Sequence, residues 1–423
     1  MKKTMAFVMA MCMAAVMVFT ACSNTPAGTP APTETAVVPA ETAADTSAAP
    51  EASAKPAQGG VIKVGLIGPH TGDYAVYGLA VRNGAQLYFD QVNEQGGVNG
   101  KMIETVVYDN KGDSAEAITA FSRMVDEGIT ALVGDVLTGN TIAVVGEAYP
   151  INMPMITASA TAAAVTVSES DGTVYSNVFR TCFIDPFQGE KMAAFAAEVL
   201  GAKTAAVICQ TGNDYSVGLA EAFKAKCAEV GIEVVAEEGY AKGDVDFNSQ
   251  LTNIAAKTPD VVFCPNYYQD DGMIVTQARA VGLTATFLGG DGWAGVAEYA
   301  TAEDLEGSFY CSAYAPGSTD AVKAFEAAYT EKYGADTLNM FAATAYDAAM
   351  VMVAALAKAE ETGEQPGSEA YKQAVIDAIK SEGPTVSGVT SEKGYSFDES
   401  NNPIKDAVIM TVAGGAETFS QMY

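Results

Sequence analysis

Short apolar runs rich in β-branched residues alternate with longer, Ala-rich amphipathic segments from residue 61 onward. The short runs predict buried strands, and apolar residues that recur every three or four positions predict helices. Predicted strands cover 61–67, 103–108, 131–133, 155–156, 205–208, 233–238, 261–263 and 286–288. Predicted helices cover 75–94, 114–127, 141–149, 187–200, 217–230, 248–256, 272–280, 321–333, 340–357 and 368–381. This alternation predicts an α/β fold with parallel sheets flanked by helices.

The size of the alternating region predicts more than one lobe. About 360 residues follow residue 60, which is more than a single sheet with its helices usually holds. We therefore expect two lobes. Ligands of such folds bind beyond the carboxyl ends of the strands, beside the first turns of helices.

The first residues have the pattern of an export signal. Lys2 and Lys3 precede an apolar run over 5–19, which is about 22 Å long as a helix and too short to span a bilayer. The run ends in small residues directly before Cys22, which is typical of a bacterial lipobox. We expect a signal peptide over 1–21 and a lipid on the Cys22 thiol. The alternative is an ordinary export signal with an incidental cysteine.

The segment 22–60 has the composition of a tether. It consists mostly of Ala, Thr, Pro and Ser and contains no aromatic residue after Cys22. Such a sequence cannot bury enough apolar area to offset the loss of chain entropy. We expect a disordered stalk between the lipid and the folded body, and stable anchoring would require more than one acyl chain.

The charge and the rare residue types exclude several functions. The chain carries 52 Asp and Glu against 23 Lys and Arg, a net charge of −29, which disfavours nucleic acid as a partner. His70 is the only histidine, which excludes multi-histidine metal sites and disfavours Ser-His-Asp chemistry. No Walker lysine motif is present, and five of the seven cysteines lie in the body and are expected to be small buried hydrophobes. We expect no metal, no cofactor and no enzyme activity.

Hydroxyls, tyrosines and a few carboxylates gather in the loops that follow the predicted strands. Together they suit a zwitterionic amino acid, whose carboxylate needs hydroxyl and backbone N–H donors and whose ammonium needs oxygen acceptors. Asp291, between glycines, could supply the counter-charge, although any of these residues alone could instead cap a helix or form a turn. The candidate ligand-binding residues are Tyr77, Thr138, Ser159, Ala160, Thr161, Tyr215, Tyr267, Asp291 and Trp293.

Five stretches resemble a known family. They are IKVGLIGPHTGDYAVYG (62–78), NEQGGVNGKMIETVVYDNKGD (93–113), INMPMITASATAAAVT (151–166), TQARAVGL (276–283) and GGDGW (289–293). With them the body resembles a type I periplasmic binding protein of the leucine/isoleucine/valine-binding family, the receptor component of an ABC importer. The resemblance implies two lobes joined by three crossovers near residues 180, 314 and 401. Lobe 1 would comprise 61–180 plus 315–401, and lobe 2 would comprise 181–314 plus 402–423.

The resemblance also implies roles for the candidate residues. Thr138 falls where a hydroxyl and an N–H bind the ligand carboxylate, and Thr161 falls where a threonine contacts both ends of the zwitterion. A backbone carbonyl at Ser159 would accept from the ammonium, and Asp291 would pair with it. Tyr77, Tyr215 and Tyr267 match pocket aromatics.

Two of the candidate ligand-binding positions depart from the family pattern, and Gly112 and Leu137 stand where some members carry a disulfide. Leucine-binding members usually carry Glu where this chain has Asp291, and Trp293 is bulkier than the residue common there, so the pocket could be smaller or flatter. Asp185 and Gln188, which begin a helix near the first crossover, are interpreted as cap and hinge support.

The resemblance and the lipobox pattern together imply an extracytoplasmic, monomeric lipoprotein, anchored to the cytoplasmic membrane through Cys22. It would deliver a neutral, branched-chain amino acid to an ABC permease. The alternatives are the same fold binding an amide, a urea-like ligand or a small aromatic acid, and a sensory ligand-binding module.

Overall fold

The computed structural model describes residues 60–423. The predicted signal peptide, Cys22 and almost all of the predicted stalk lie outside the described residues. The strands are β1 Val61–Gly68, β2 Met102–Asp109, β3 Ala131–Val133, β4 Met155–Thr157, β5 Val178–Arg180, β6 Thr204–Gln210, β7 Glu233–Tyr240, β8 Val261–Phe263, β9 Thr286–Gly289, β10 Phe309–Ser312, β11 Val408–Ala413 and β12 Ala416–Met422. The helices are α1 Ala75–Glu94, α2 Ser114–Asp126, α3 Thr138–Ala148, α4 Asp185–Glu198, α5 Asp214–Val230, α6 Asn248–Ala255, α7 Tyr268–Ala280, α8 Ala302–Leu305, α9 Asp320–Tyr333, α10 Met340–Glu360 and α11 Glu369–Glu382.

Lobe 1 is built on a five-stranded parallel sheet in the order β2-β1-β3-β4-β5. Ile62, Val64 and Leu66 of β1 are buried, as expected for a central strand covered on both faces. Helices α1 to α3 and the later helices α9 to α11 belong to this lobe, and α10 packs against α1, α11 and β4. Helix α10 is long and apolar enough to cross a membrane, but most of it is buried within the protein.

Lobe 2 is built on a seven-stranded sheet in the order β12-β11-β10-β9-β8-β6-β7. The strands from β6 to β10 are parallel, and the C-terminal hairpin of β11 and β12 adds two antiparallel strands at the edge. Helices α4 and α5 pack closely against each other in this lobe. Strands β5, β11 and β12 and the short helix α8 were not predicted from the sequence, but the predicted α/β class is confirmed.

The chain passes between the lobes three times. It leaves lobe 1 after Arg180, returns to the helices of lobe 1 after Ser312 and enters lobe 2 again at Val408. The Lys405 ammonium, just before the third passage, donates to the carbonyl of Thr181 in the first passage at 2.9 Å. It also donates to Thr390 Oγ1 at 2.7 Å. Because both sheets end in loops at the face between the lobes, the post-strand loops meet there.

Candidate functional site

A small cavity lies between the lobes, where the post-strand loops meet. In this closed structure its free volume is about 10 Å³, which is room for about one water molecule. A larger ligand therefore requires the lobes to move apart or the lining side chains to shift. Its lining residues come from both lobes and are Tyr77, Val136, Leu137, Thr138, Ser159, Tyr215, Tyr267, Asp291, Gly292 and Phe341.

The lobe 1 wall contains a helix N-terminus without a side-chain cap. Thr138 is the first residue of α3, whose first turn contains no acidic residue and whose N-cap position, Leu137, makes no side-chain hydrogen bond. The first N–H groups of a helix have no intrahelical partner, and they carry the positive end of the helix dipole. This wall is therefore suited to an anion, such as a carboxylate.

The loop before α3 is held by a buried carboxyl group. Asp135 accepts hydrogen bonds from the Val136 N–H and from the Asn110 amide, and Thr157 Oγ1 donates to the Asp135 carbonyl at 2.8 Å. Burial raises the pKa of Asp135 to about 7, against the opposing effect of these donors. Both carboxyl oxygens have partners, so Asp135 shapes the loop that carries Thr138.

The loop after β4 supplies hydroxyls to the same wall. Ser159 Oγ donates to the Val136 carbonyl at 2.8 Å, and the Thr161 N–H donates to Thr138 Oγ1 at 3.3 Å. Thr161 itself does not line the cavity. Its hydroxyl is buried and has no hydrogen-bond partner among residues 60–423. A buried hydroxyl without a partner is costly, so this oxygen is available for a ligand or for a small rearrangement.

The carbonyl of Ala160, a residue expected at the ligand without a specified role, is engaged by other residues in this structure. Its carbonyl accepts from Arg180 Nη1 at 2.9 Å and from the Cys182 thiol at 3.4 Å. Arg180 also donates to the Ala162 carbonyl and to Thr166, so this buried guanidinium holds the turn that carries Thr161. Ala160 does not line the cavity.

Asp291 supplies the carboxylate on the lobe 2 side. It begins the turn after β9 and is 1% exposed. Oδ1 accepts from Gln188 Nε2 at 3.1 Å, whereas Oδ2 has no partner within the described part of the chain. Burial raises the pKa of Asp291 to about 7, while donors such as the Gln188 amide oppose this shift.

A second buried carboxyl group, Asp185, lies close to this turn. Its backbone N–H donates to the Thr161 carbonyl at 3.0 Å. Among the described residues, neither carboxyl oxygen of Asp185 has a partner within hydrogen-bond distance. The hydroxyl of the neighbouring Thr161 likewise has none. Burial raises its pKa well above the ordinary value, and the charge of Asp291 adds to this, whereas Arg180 opposes it.

Aromatic rings form the remaining walls. The rings of Tyr215 and Tyr267 stack with their centroids 5.1 Å apart, and Tyr77 packs edge-on against Phe341 at 4.9 Å. Burial raises the pKa of each of the three tyrosines well above the ordinary value, so they are neutral at physiological pH. Phe341 was not among the predicted residues, because it begins a helix that follows no predicted strand.

The cleft is closed in this structure. The Tyr77 hydroxyl of lobe 1 donates to the Gly292 carbonyl of lobe 2 and accepts from the Tyr268 N–H at 3.2 Å. The Asp73 carbonyl accepts from the Tyr268 hydroxyl at 2.5 Å and from the Gln269 amide at 2.7 Å. These contacts join the two lobes beside the cavity, whose lining includes Tyr77 and Gly292.

Trp293 does not line the cavity, which corrects the expectation that it faces the cleft. It is fully buried in lobe 2, and its indole N–H donates to the Cys264 carbonyl at 2.7 Å. Its ring lies against Gly289, where a Cβ atom would come within 2.0 Å of the ring. Trp293 therefore supports the turn that carries Asp291 from beneath.

Known proteins match almost the whole described part of the chain. The model of the family described as periplasmic binding protein matches residues 61–416. This chain belongs to the periplasmic binding protein family. A relative, the Leu/Ile/Val-binding protein BraC3 of Rhizobium johnstonii, is 32% identical over 321 residues, which cover 75% of this chain and 83% of that protein.

Solved structures of other periplasmic binding proteins share the fold. The leucine-binding protein LivK from Thermotoga maritima has a TM-score of 0.76 and 32% identity, and the match covers 86% of this chain and 98% of that chain. The branched-chain amino acid transporter substrate-binding protein LivJ from Streptococcus pneumoniae, solved in complex with isoleucine, has a TM-score of 0.75 and 32% identity. That match covers 85% of this chain and 99% of the other. The type I periplasmic binding protein fold and the family resemblance are thus confirmed.

The geometry brings together most of the candidates but not all of them. Seven of the nine sequence-predicted residues lie in or beside one cavity, namely Tyr77, Thr138, Ser159, Thr161, Tyr215, Tyr267 and Asp291. Members of this family are substrate-binding proteins, and the arrangement offers a closed site between two lobes.

Proposed function

We propose that this protein is the extracytoplasmic substrate-binding lipoprotein of an ABC importer and that it captures a neutral, branched-chain amino acid by closing its cleft. One observation carries the proposal. The uncapped N-terminus of α3 and Asp291 Oδ2, which has no partner among residues 60–423, belong to opposite lobes of one closed cavity. A positive helix end and a carboxylate form the two poles that a zwitterion requires.

The carboxylate of the ligand binds at α3 in this proposal. Thr138 offers its backbone N–H and its hydroxyl, and Ser159 lies beside it in the cavity wall. Several N–H groups share the ligand charge here, so the loss of one hydroxyl leaves most of the interaction in place.

The ammonium of the ligand binds at Asp291 and reaches toward Thr161. Asp291 Oδ2 and Thr161 Oγ1 are both buried acceptors without a partner among the described residues. An ammonium would satisfy these oxygens and would favour the ionised form of Asp291, because an opposite charge nearby lowers the pKa of a carboxyl group.

The side chain of the ligand faces apolar and aromatic surface. Leu137, Val136 and Phe341 line the cavity, and the hydroxyls of Tyr77 and Tyr215 are engaged with the backbone of Gly292. A polar or charged side chain would find few free partners here, so a compact aliphatic side chain is favoured. The names of the relatives, Leu/Ile/Val-binding protein and leucine-binding protein, support the same class of ligand.

Export and anchoring complete the proposal. The apolar run over 5–19, the small residues before Cys22 and the Ala/Thr/Pro-rich segment after it support a lipid anchor on the outer face of the cytoplasmic membrane. We expect Cys22→Ala to abolish lipid modification, as measured by metabolic labelling with a radioactive fatty acid. A variant that still incorporates the label would contradict the anchoring proposal.

Asp291→Asn tests the binding proposal. Loss of one partner of a buried charge pair costs about 2–5 kcal/mol. The variant should therefore bind L-isoleucine, L-leucine or L-valine about 30-fold more weakly or worse. Isothermal titration calorimetry measures this change.

Asp377→Asn is the matched control, because it removes the same charge from an exposed residue of α11, a helix that contributes no residue to the cavity lining. It should leave the affinity unchanged. Wild-type affinity in Asp291→Asn would remove this carboxylate from the site.

A further inference from the structure

The side-chain amide of Gln188, a residue of α4, forms two hydrogen bonds with Asp291. Gln188 Nε2 donates to Asp291 Oδ1 at 3.1 Å, and Gln188 Oε1 accepts from the Asp291 N–H at 2.8 Å. The two residues are 103 positions apart in the chain, and both are buried. The sequence indicated only hinge support for Gln188, but the structure places its amide against the carboxylate of the cavity.

These two hydrogen bonds fix both the backbone and the carboxylate of Asp291. With Oδ1 engaged by Gln188, the orientation of the carboxylate plane is set, and Oδ2 is the oxygen left without a partner among residues 60–423. The turn of Asp291 is also held from lobe 2, because the Tyr215 hydroxyl accepts from the Gly292 N–H at 2.7 Å. Tyr215 therefore holds the backbone of the turn and, like Gln188, lowers the pKa of Asp291, whereas Gln188 hydrogen-bonds both the Asp291 N–H and Oδ1.

We propose that Gln188 is a positioning residue that aims Asp291 Oδ2 at the ligand ammonium and keeps this carboxylate ionised. The inference rests on the proposed function, in which Asp291 binds the ammonium. Gln188 does not touch the ligand in this account and acts through Asp291.

The electrostatic part follows from the surroundings of Asp291. Burial raises the pKa of Asp291 to about 7, and the Gln188 N–H lowers it. Without that donor the pKa would rise further, so more of the group would be protonated at neutral pH and unable to pair with an ammonium. The other titratable groups around Asp291 are Asp185, Tyr215, Tyr267, Cys182 and Cys311.

Two variants separate positioning from a merely structural role. Gln188→Met keeps the length of the side chain but donates no hydrogen bond. At pH 7 we expect it to bind L-isoleucine about tenfold more weakly, the loss expected for one charge-assisted hydrogen bond. The deficit should shrink as the pH rises from 6 to 8.5, because Asp291 becomes ionised at the higher pH despite its raised pKa.

Gln188→Glu should show the opposite dependence on pH. Its carboxyl group can donate to Asp291 only while it is protonated, so the affinity should be nearest to wild type at pH 6 and should fall as the pH rises. Two neighbouring buried carboxylates that are both ionised repel each other.

The experiment is calorimetric titration of L-isoleucine into the wild-type protein and both variants at several pH values, with thermal unfolding of each protein as the check on folding. Opposite pH slopes in the two variants would support the proposal. The proposal would be overturned if the affinity of Gln188→Glu for L-isoleucine changed with pH as that of the wild-type protein does. It would also be overturned if Gln188→Met lost the same factor of affinity at every pH. The Gln188→Glu variant is judged by how its affinity changes with pH, so it tests the proposal even if Gln188→Met fails to fold. Failure of the proposed function is a separate result, because it would appear as wild-type binding by Asp291→Asn.

Discussion

Asp135 and Asp291 are both buried aspartates that follow a strand, and burial raises the pKa of each to about 7. Their hydrogen bonds separate their roles. Both carboxyl oxygens of Asp135 accept from the protein, whereas Asp291 Oδ2 has no partner in the described residues. The sequence offers the same residue type in the same kind of loop, so this difference cannot be predicted from it. The resemblance to the family selected Asp291, and the structure supplies a physical reason.

Trp293 illustrates a second limit at the residue scale. Its position two residues after Asp291 predicts that it faces the cleft. In a turn, however, successive side chains point in different directions. The indole instead packs on Gly289 and donates to the Cys264 carbonyl. Only a glycine leaves space for the ring at position 289, and this requirement was not evident from the spacing.

Trp293→Phe should destabilise the protein without weakening binding. The Cys264 carbonyl would lose its buried donor, which costs about 1–3 kcal/mol in the free energy of unfolding. The ligand affinity should stay close to wild type, because the indole does not line the cavity. Urea unfolding and calorimetry measure the two quantities. A variant of unchanged stability with strongly reduced affinity would return Trp293 to the cleft.

At the scale of elements, three helices begin three or four residues earlier than the sequence predicts, and each of these early starts lies at the site. Helix α3 begins at Thr138 instead of 141, α5 at Asp214 instead of 217, and α7 at Tyr268 instead of 272. The apolar periodicity starts only after these polar first turns, so the pattern misses them. In α5, the Asn213 side chain caps the Tyr215 N–H at 3.1 Å, and this cap positions the ring beside Tyr267.

The C-terminal hairpin was also missed, although a signal for it exists. Gly414 and Gly415 separate two segments of strand length, and both glycines have positive φ, which suits a tight two-residue turn. Strand β12 is largely exposed, so its sequence lacks the apolar run that identified the central strands. The central parallel strands were predictable because they are buried on both faces.

Helix α10 anchors the segment that leads to the third passage between the lobes. Asp347 accepts from the N–H groups of Val389 and Thr390 at 2.6 and 2.8 Å and from the Tyr395 hydroxyl at 2.6 Å. Asp347→Ala would leave these buried donors without an acceptor. We expect the free energy of unfolding to fall by about 2–4 kcal/mol, as for the loss of a buried hydrogen-bond network.

The matched control is Asp377→Ala, which removes an exposed carboxylate from the neighbouring helix α11. It should change the free energy of unfolding by less than about 0.5 kcal/mol. Urea denaturation of both variants tests the difference. Equal effects would show that Asp347 does not hold this segment.

At the scale of the whole molecule, the contacts across the cleft explain how a ligand could control closure. The lobes meet through Tyr77 and Gly292 and through Asp73 with Tyr268 and Gln269. These few polar contacts can form without a ligand, so a ligand favours closure only by adding contacts to both lobes. A zwitterion does so in our proposal, because its two charges bind to opposite lobes.

The architecture was predictable at this scale, whereas the closed geometry was not. Strand and helix periodicity indicated parallel α/β sheets, and the chain length indicated two lobes. Which side chains meet across the cleft depends on the relative placement of the lobes, and a local pattern carries no information on it. Phe341 as a lining residue and the contact between Gln188 and Asp291 were therefore found only in the structure.

The central claim is that both charges of an amino acid are required for binding. Calorimetry should compare L-isoleucine with 3-methylpentanoic acid, which lacks the ammonium, and with 2-methylbutylamine, which lacks the carboxylate. We predict that L-isoleucine binds at one site per chain and that neither analogue binds measurably at the same concentrations. Binding of 3-methylpentanoic acid as tight as that of L-isoleucine would contradict the account, because Asp291 would then have no ammonium to pair with.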